Sequence, residues 1–489
     1  MNRPLKFFVC CMVCVLLVAA PAAKIYALPV AQADAIQRLL DDAVRISGTP
    51  GISAAVIYNG QTHYFNAGHT SRNNRSHATL VNEHTLYEIG SLSKAFTAVG
   101  ILLLEAQGLL STTDYVQNHL PWFYVTYQNE VTPVTIQQLL NHTSGLTQTH
   151  NDAPRGEGPD MLRRTVEPFV GARLDFAPGT AYAYGNANYN ILGLVIEAVA
   201  GQSYESFMVE EVFEPLGLHQ TFLYHSQAAA TGRMAQGHRH AFFRTFTFDA
   251  PIYGGMKPTG FIISSAYDMA RWMGIHLGIV QDIPEIFLQV VERAHEANIQ
   301  GPNMGNPYTF YVGGWINRLD NGILNHAGAT PSFLSNVLLF TEEKQGVVFL
   351  SNGGNVDFDL VWDIKDILDG DLQRSYTRSS EQWRDIWLSA MIIGSVLTMI
   401  YELVAGIRNR IKYKPVLTKS KIIWTTIWAV GAAFFVIRLL RYPASVGSGW
   451  AHIFDWNPPT ITIALFLMPL FFAATAWHTY TKNPEPAKK

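Results

Sequence analysis

Three short segments carry residue types able to open an ester or an amide. Ser91-Leu92-Ser93-Lys94 stands just before an almost wholly apolar run, residues 95–104, that ends around Gly108. Positions three apart share a helix face, so the spacing predicts Lys94 beneath the Ser91 hydroxyl. A serine is a poor nucleophile until a neighbour takes its proton, and a partly desolvated lysine does so. A helix N-terminus adds a dipole favourable to the oxyanion that follows. Alone the pattern says little, because average serine and lysine usage gives about two Ser-x-x-Lys matches by chance in a chain this long.

The second segment is Tyr184-Gly185-Asn186. A tyrosine beside an ammonium loses its proton more readily and can shuttle it between nucleophile and leaving group. Asn186 is placed to hydrogen-bond both Lys94 and a substrate amide. Tyr182 competes for the same role but lacks an asparagine two positions on. The third segment is His326-Ala327-Gly328-Ala329, read as following a turn and beginning a strand. A strand edge beside the nucleophile can offer a backbone N–H to an oxyanion, and Gly328 lets substrate approach the backbone. His326 would add a donor or positive charge near a substrate carboxylate. Each segment read singly is better explained by packing; their joint occurrence carries the argument.

These segments need a scaffold. Residues 51–57 form a β-branched run followed by Asn59-Gly60, a strong hairpin turn, and then residues 61–66. Residues 314–318, 333–340 and 347–351 also read as strands, with turns at Asn321-Gly322 and residues 342–346. Between them the pattern is mostly helical; residues 189–200 repeat apolar positions at helical spacing and stop at Gly201. Strands at both ends of a helical middle predict an α/β (α+β) class: one antiparallel sheet flanked by helices, with a helical subdomain beside it.

The chain has 489 residues with 48% hydrophobic and 15% charged, and a mean hydropathy of +0.09. So little charge implies that part of it sits in lipid. Residues 387–407, 422–440 and 461–477 are each near the length of a transmembrane helix. Glu402, inside the first of them, reads as marking a helix end. The first connection holds Arg408, Arg410, Lys412, Lys414, Lys419 and Lys421, so the positive-inside rule makes it cytoplasmic. The residues before the first span then lie on the extracytoplasmic side, periplasmic or extracellular, and the tail 478–489 inside. The N-terminus agrees: Arg3 and Lys6 precede a short apolar run and then small residues, an export signal over residues 1–27. An uncleaved signal anchor is the competing reading. Cys10, Cys11 and Cys14 all lie within that signal, so a chain cut after it has no thiol nucleophile and no disulfide. The division expected is 1–27 signal, 28–375 exported domain, 387–477 membrane region and 478–489 tail.

Net charge is −3, from 35 basic against 38 acidic residues, with no basic stripe, and no nucleic-acid partner is expected. Histidine is plentiful at 16, but His238-Arg239-His240 has no convincing carboxylate partner and His-Glu-x-x-His does not occur; no metal or cofactor is expected.

With the three segments in this order, the chain resembles the SxxK serine hydrolases of the class C β-lactamase and penicillin-binding-protein superfamily. That family reads Ser-x-x-Lys, Tyr-x-Asn, then Lys- or His-x-Gly. The resemblance extends to Gln138-Leu139-Leu140-Asn141-His142-Thr143-Ser144-Gly145-Leu146, to Pro178-Gly179-Thr180 and to Pro215-Leu216-Gly217-Leu218, and spans about residues 34 to 370. It implies that Ser91 is acylated, that Lys94 and Tyr184 move protons, and that the backbone N–H groups of Ser91 and Ala329 form the oxyanion hole. Lys257-Pro258-Thr259-Gly260 looks like the third motif but is spaced wrongly and is set aside. Histidine at 326, where true β-lactamases have lysine, points toward esterases and D-aminopeptidase-like relatives. The C-terminal spans resemble membrane-bound members, FmtA-like teichoic-acid D-alanyl esterases and peptidases that remove acyl-D-asparagine from natural-product precursors. The substrate so implied is a peptide, a cell-wall component or an acyl-D-amino-acid small molecule. A non-catalytic penicillin-binding or cell-wall sensor is the competing class. Whether the spans anchor, form a homodimer or admit a partner stays open.

Overall fold

The computed structural model describes residues 27–72, 79–147, 153–297, 299–412, 418–445 and 450–482. Residues 1–26, which include the three cysteines and all but the last position of the expected export signal, lie outside the described residues.

A seven-stranded antiparallel sheet holds the domain together. Its strands are β1 (Gly51–Tyr58), β2 (Gln61–Gly68), β3 (Thr309–Val312), β4 (Trp315–Arg318), β5 (Ile323–Ala329), β6 (Leu334–Phe340) and β7 (Gln345–Ser351), in spatial order β3-β4-β5-β6-β7-β1-β2. The first strand therefore inserts beside the last, pairing Ile52 with Ser351. Asn59 and Gly60 both take positive φ, 51° and 73°. That matches the tight turn expected between β1 and β2.

Strand alternation sorts side chains to two faces. Ile52, Ala54 and Val56 of β1 pack on α1 (Val30–Ser47) and on Leu360, Val361 and Ile364 near the end of the domain. Ala55 and Ile57 face the larger core. There lies α2 (Ser93–Ala106), buried from Ser93 through Leu104. A helix apolar on all sides must be central, and this one is wedged against α3 (Asn186–Ala200), with Phe96 stacked on Trp272 of α4 (Ala266–His276) at 4.0 Å. Helix α5 (Leu360–Leu368) covers the far face of the sheet.

Three helices are long and apolar enough to cross a membrane: α6 (Ser380–Lys412), α7 (Lys419–Ser445) and the last helix, Pro459–Thr481. Each contains one of the expected spans. A short helix unforeseen in the sequence, α8 (Trp450–Trp456), precedes that last helix, α9. Glu402 does not end a helix as read. Helix α6 continues to Lys412, and the Glu402 carboxylate accepts the Thr475 hydroxyl of α9 at 2.9 Å. A carboxylate paired inside a helix bundle needs no helix end to solvate it.

Candidate active site

Ser91 lies in a 3-10 turn, Gly90–Leu92, that feeds directly into α2. Gly90 has φ +55°, and a Cβ there would fall 2.3 Å from Ala329 N. Reciprocally, a Cβ on Gly328 would fall 2.2 Å from Ile89 O. Only glycine permits so close an approach of two backbones, and the pair of them brings the serine turn against the end of β5. Ser335 Oγ donates to Ile89 O at 2.8 Å and fixes the same junction.

Lys94 reaches back from the first turn of α2, its Nζ 3.1 Å from Ser91 Oγ. It also donates to Asn186 Oδ1 at 2.9 Å and to Thr259 O at 2.6 Å. Burial pushes the Lys94 amine well below its ordinary value, because a dry site penalises the ammonium. Tyr184 Oη donates to Ser91 Oγ at 2.9 Å. Desolvation raises its phenol above the usual range. This runs against the sequence reading of an easily lost tyrosine proton: burial of the phenol outweighs the hydrogen bond to Ser91 that would favour its ionised form. The pair divides the work, with Lys94 suited to accept a proton and Tyr184 to hold one.

His326 sits in the middle of β5, which starts directly after the Asn321-Gly322 turn; its motif therefore ends a strand rather than beginning one. Pairing of β5 with β4 stops at Asn325, so beyond it the strand has an open edge. Ala327 and Ala329 line the cavity there. The His326 ring is buried, with Nδ1 2.7 Å from Ala327 O and Nε2 2.9 Å from Tyr311 Oη. A carbonyl only accepts, so Nδ1 carries the proton and Nε2 accepts from the Tyr311 phenol. Burial and the Lys94 charge lower His326 to about 3. The positive charge expected of it is therefore absent at neutral pH, and the donor capacity is spent within the protein.

Ser91, Tyr184, Asn186, His326, Ala327 and Ala329 border one cavity of 340 Å³. Lys94 lies beneath it; Gly328 packs behind. Several participants escaped the sequence analysis. Tyr311 comes from β3, and nothing in its neighbourhood marks it. The His142 ring lies 4.4 Å from the Tyr184 ring, tilted to it, and 4.4 Å from the Tyr311 ring, edge-on, and burial holds it well below its ordinary value. Thr259 belongs to the segment set aside. That segment is helical, Lys257–Gly260, and Lys257 is spent on Glu205 at 2.7 Å and on the Tyr224 ring. Thr259 nonetheless touches the site through its carbonyl to Lys94 and its hydroxyl to Asn186 at 3.0 Å. Among the described residues no group of three or more histidine, cysteine, aspartate or glutamate side chains is placed to hold a metal ion. His238 and His240 bond Asn352 O and Asp385.

The sequence profile of the family described as Beta-lactamase matches residues 36–369. The chain belongs to that family. It is 27% identical over 459 residues to Protein flp of Staphylococcus aureus (strain MW2), covering 89% of this chain and 88% of that one. It is 28% identical over 295 residues to Penicillin-binding protein 4* of Bacillus subtilis (strain 168), covering 55% of this chain and 61% of the relative. Among solved structures, the octameric penicillin-binding protein homologue from Pyrococcus abyssi superposes with a TM-score of 0.59 at 23% identity, over 69% of this chain and 77% of that one. A D-alanine carboxypeptidase AmpC from Burkholderia cenocepacia gives 0.56 at 21% identity, over 69% and 98%. The fold of the domain is thus the β-lactamase and penicillin-binding-protein serine hydrolase fold, followed by three long apolar helices.

Proposed function

We propose that the protein is a membrane-anchored, extracytoplasmic serine hydrolase that cleaves an amide or ester of a D-amino-acid-containing substrate by acyl transfer. The observation that carries the reading is the convergence of two proton-handling groups on one hydroxyl: Lys94 Nζ at 3.1 Å and Tyr184 Oη at 2.9 Å from Ser91 Oγ.

In this reading Ser91 Oγ attacks the substrate carbonyl while its proton passes to the Lys94 amine. The backbone N–H groups of Ser91 and Ala329 receive the oxyanion. The carbonyl re-forms as the leaving group departs with a proton passed from Lys94 through Tyr184, which ends the step reprotonated. Water then attacks the acyl-Ser91 carbonyl, releasing the acid and restoring the hydroxyl. Asn186 holds Lys94 through its carbonyl oxygen, and its amide nitrogen is the group offered to substrate. His326, neutral, keeps Tyr311 and the strand end in place.

The domain division follows the same proposal: a signal over 1–27, an exported catalytic domain over 28–375, a membrane region over 387–477 and an inside tail over 478–489. Charge in the α6–α7 connection supports that orientation. A sensor that only bound its ligand would not need two proton-handling groups on one hydroxyl.

Ser91→Ala in the full chain is expected to abolish covalent labelling by a fluorescent penicillin or a fluorophosphonate. Labelling that persists at the wild-type level would refute the assignment. Mass spectrometry of Ser91 after exposure to an envelope extract would then identify the acyl group.

A further inference from the structure

One wall of the Ser91 cavity does not come from the catalytic domain. Trp456, the last residue of α8, borders the cavity together with Phe261 and Phe358. Its ring meets Phe261 edge-on, with centroids 6.2 Å apart. Helix α8 belongs to the connection between two membrane-length helices, yet it is fastened to the domain at several points. Asp455 accepts the Tyr253 hydroxyl at 2.5 Å and pairs with Arg155. Arg239 donates to Phe454 O at 2.9 Å and, on its other side, to Pro331 O just past the end of β5. At the start of the next helix, Thr460 donates to Asp385 of α6 at 2.9 Å.

Beyond Trp456 a second cavity opens, of 320 Å³. It shares Ala329, Phe358 and Trp456 with the first, so the two adjoin at the end of β5. Its far side is formed by the outer ends of the membrane helices, with Glu381, Arg384 and Asp385 from α6 and Thr460 from α9. Charges of both signs and several amide and hydroxyl groups line it. Pro331, Leu334, Phe358 and Pro458 stand among them, and a lining that mixes polar and apolar groups suits a peptide-like chain, which carries both.

We infer that Trp456 is a specificity-determining residue, and that the site takes an elongated substrate: the scissile carbonyl at Ser91, and a polar, peptide-like extension running past Trp456 into the cavity at the helix ends. This rests on the proposed serine hydrolase reading and adds to it where the rest of the substrate lies. The membrane helices are then part of the enzyme's substrate recognition as well as its anchor.

The test uses the full-length chain in lipid nanodiscs and two fluorophosphonates with the same warhead. One is compact; the other carries a peptide-like tail of several polar amide units. The ratio of their second-order rate constants for Ser91 labelling is measured. Wild type is expected to favour the tailed probe by about tenfold, the scale on which pocket contacts discriminate. Trp456→Ala should bring the ratio close to one, while Trp456→Phe should keep most of the preference. A wild-type ratio near one, or a preference unaltered in Trp456→Ala, overturns the inference. An alkyl-tailed probe favoured over the peptide-like one also overturns it. If neither probe labels Ser91 in wild type, the hydrolase reading itself has failed and this inference falls with it.

Discussion

The floor and the outer wall of the cavity are built in opposite ways. The floor is the start of a helix buried from Ser93 through Leu104, pinned by two glycines against the end of β5. The Lys94 amine there makes three hydrogen bonds and the Ser93 hydroxyl two, all with buried or half-buried partners, so displacing either breaks several polar contacts at once. The wall at Trp456 stands on a seven-residue helix held by a few contacts at one end: the Trp456 ring against Phe261, the Asp455 contacts to Tyr253 and Arg155, and one guanidinium–carbonyl bond from Arg239. Chemistry is thus placed where rigidity is greatest, and contact with the distal part of a substrate where adjustment is cheapest.

Breaking the floor should give the larger effects. Lys94→Ala is expected to slow acylation about 10²–10⁴-fold, the usual loss on removing a general base, with the fold retained. The wild-type pH profile sharpens this. A base must be unprotonated to act, so the rate should fall as pH drops through the Lys94 pKa. Because burial lowers that pKa, the acid limb should lie well below the ordinary lysine value of about 10.4. An acid limb that persists unchanged in Lys94→Ala would assign it to another group.

The floor also carries a stability cost. Glu88, in the short strand just before the serine turn, is buried and raised to about 7. Its folded-state pKa exceeds its unfolded one, so its protonated form is favoured by folding. Stability is fully present below the unfolded pKa and is lost as pH rises through about 7. Glu88→Gln should remove most of this dependence, worth about 3 kcal/mol above that range, read as a thermal midpoint that no longer falls between mildly acidic and mildly alkaline buffer. An identical decline in the variant would place the titration elsewhere.

At the wall the effects should be smallest. Asp455→Ala loses a partly exposed ion pair worth roughly 1 kcal/mol. It is expected to weaken the tailed-probe preference by up to about fivefold while leaving labelling by the compact probe nearly as in wild type. A collapse of labelling by both probes would show that α8 supports the floor after all.

The parts readable in the sequence were those set by local chemistry. The β1–β2 hairpin announces itself through Asn59-Gly60, and Lys94 lies under Ser91 because helix geometry dictates it. Tyr184 and Asn186 became legible only in the company of the serine motif. What stayed hidden depends on long-range packing. Tyr311 on β3 meets His326 on β5 over the intervening strand β4, and neither residue's neighbours foretell it. Trp456 was one aromatic among many in an apolar C-terminal region, without any periodicity to single it out. The charge state of His326 also escaped, because type and spacing say nothing about how dry a side chain's surroundings are.

The placement of β1 has a consequence for how the chain is made. Gly51 N and the Asn352 side chain that receives it are 301 positions apart. At synthesis rates of about 5–20 residues per second, β1 waits roughly 15–60 seconds for its β7 neighbour. Meanwhile Gly-Ile-Ser-Ala-Ala-Val-Ile-Tyr is the kind of apolar, uncharged, β-prone stretch that seeks other strands. The adjoining β2 pairs with all eight of its residues through a two-residue turn. That hairpin can close within microseconds, so one edge of the nascent strand is occupied long before the domain is complete.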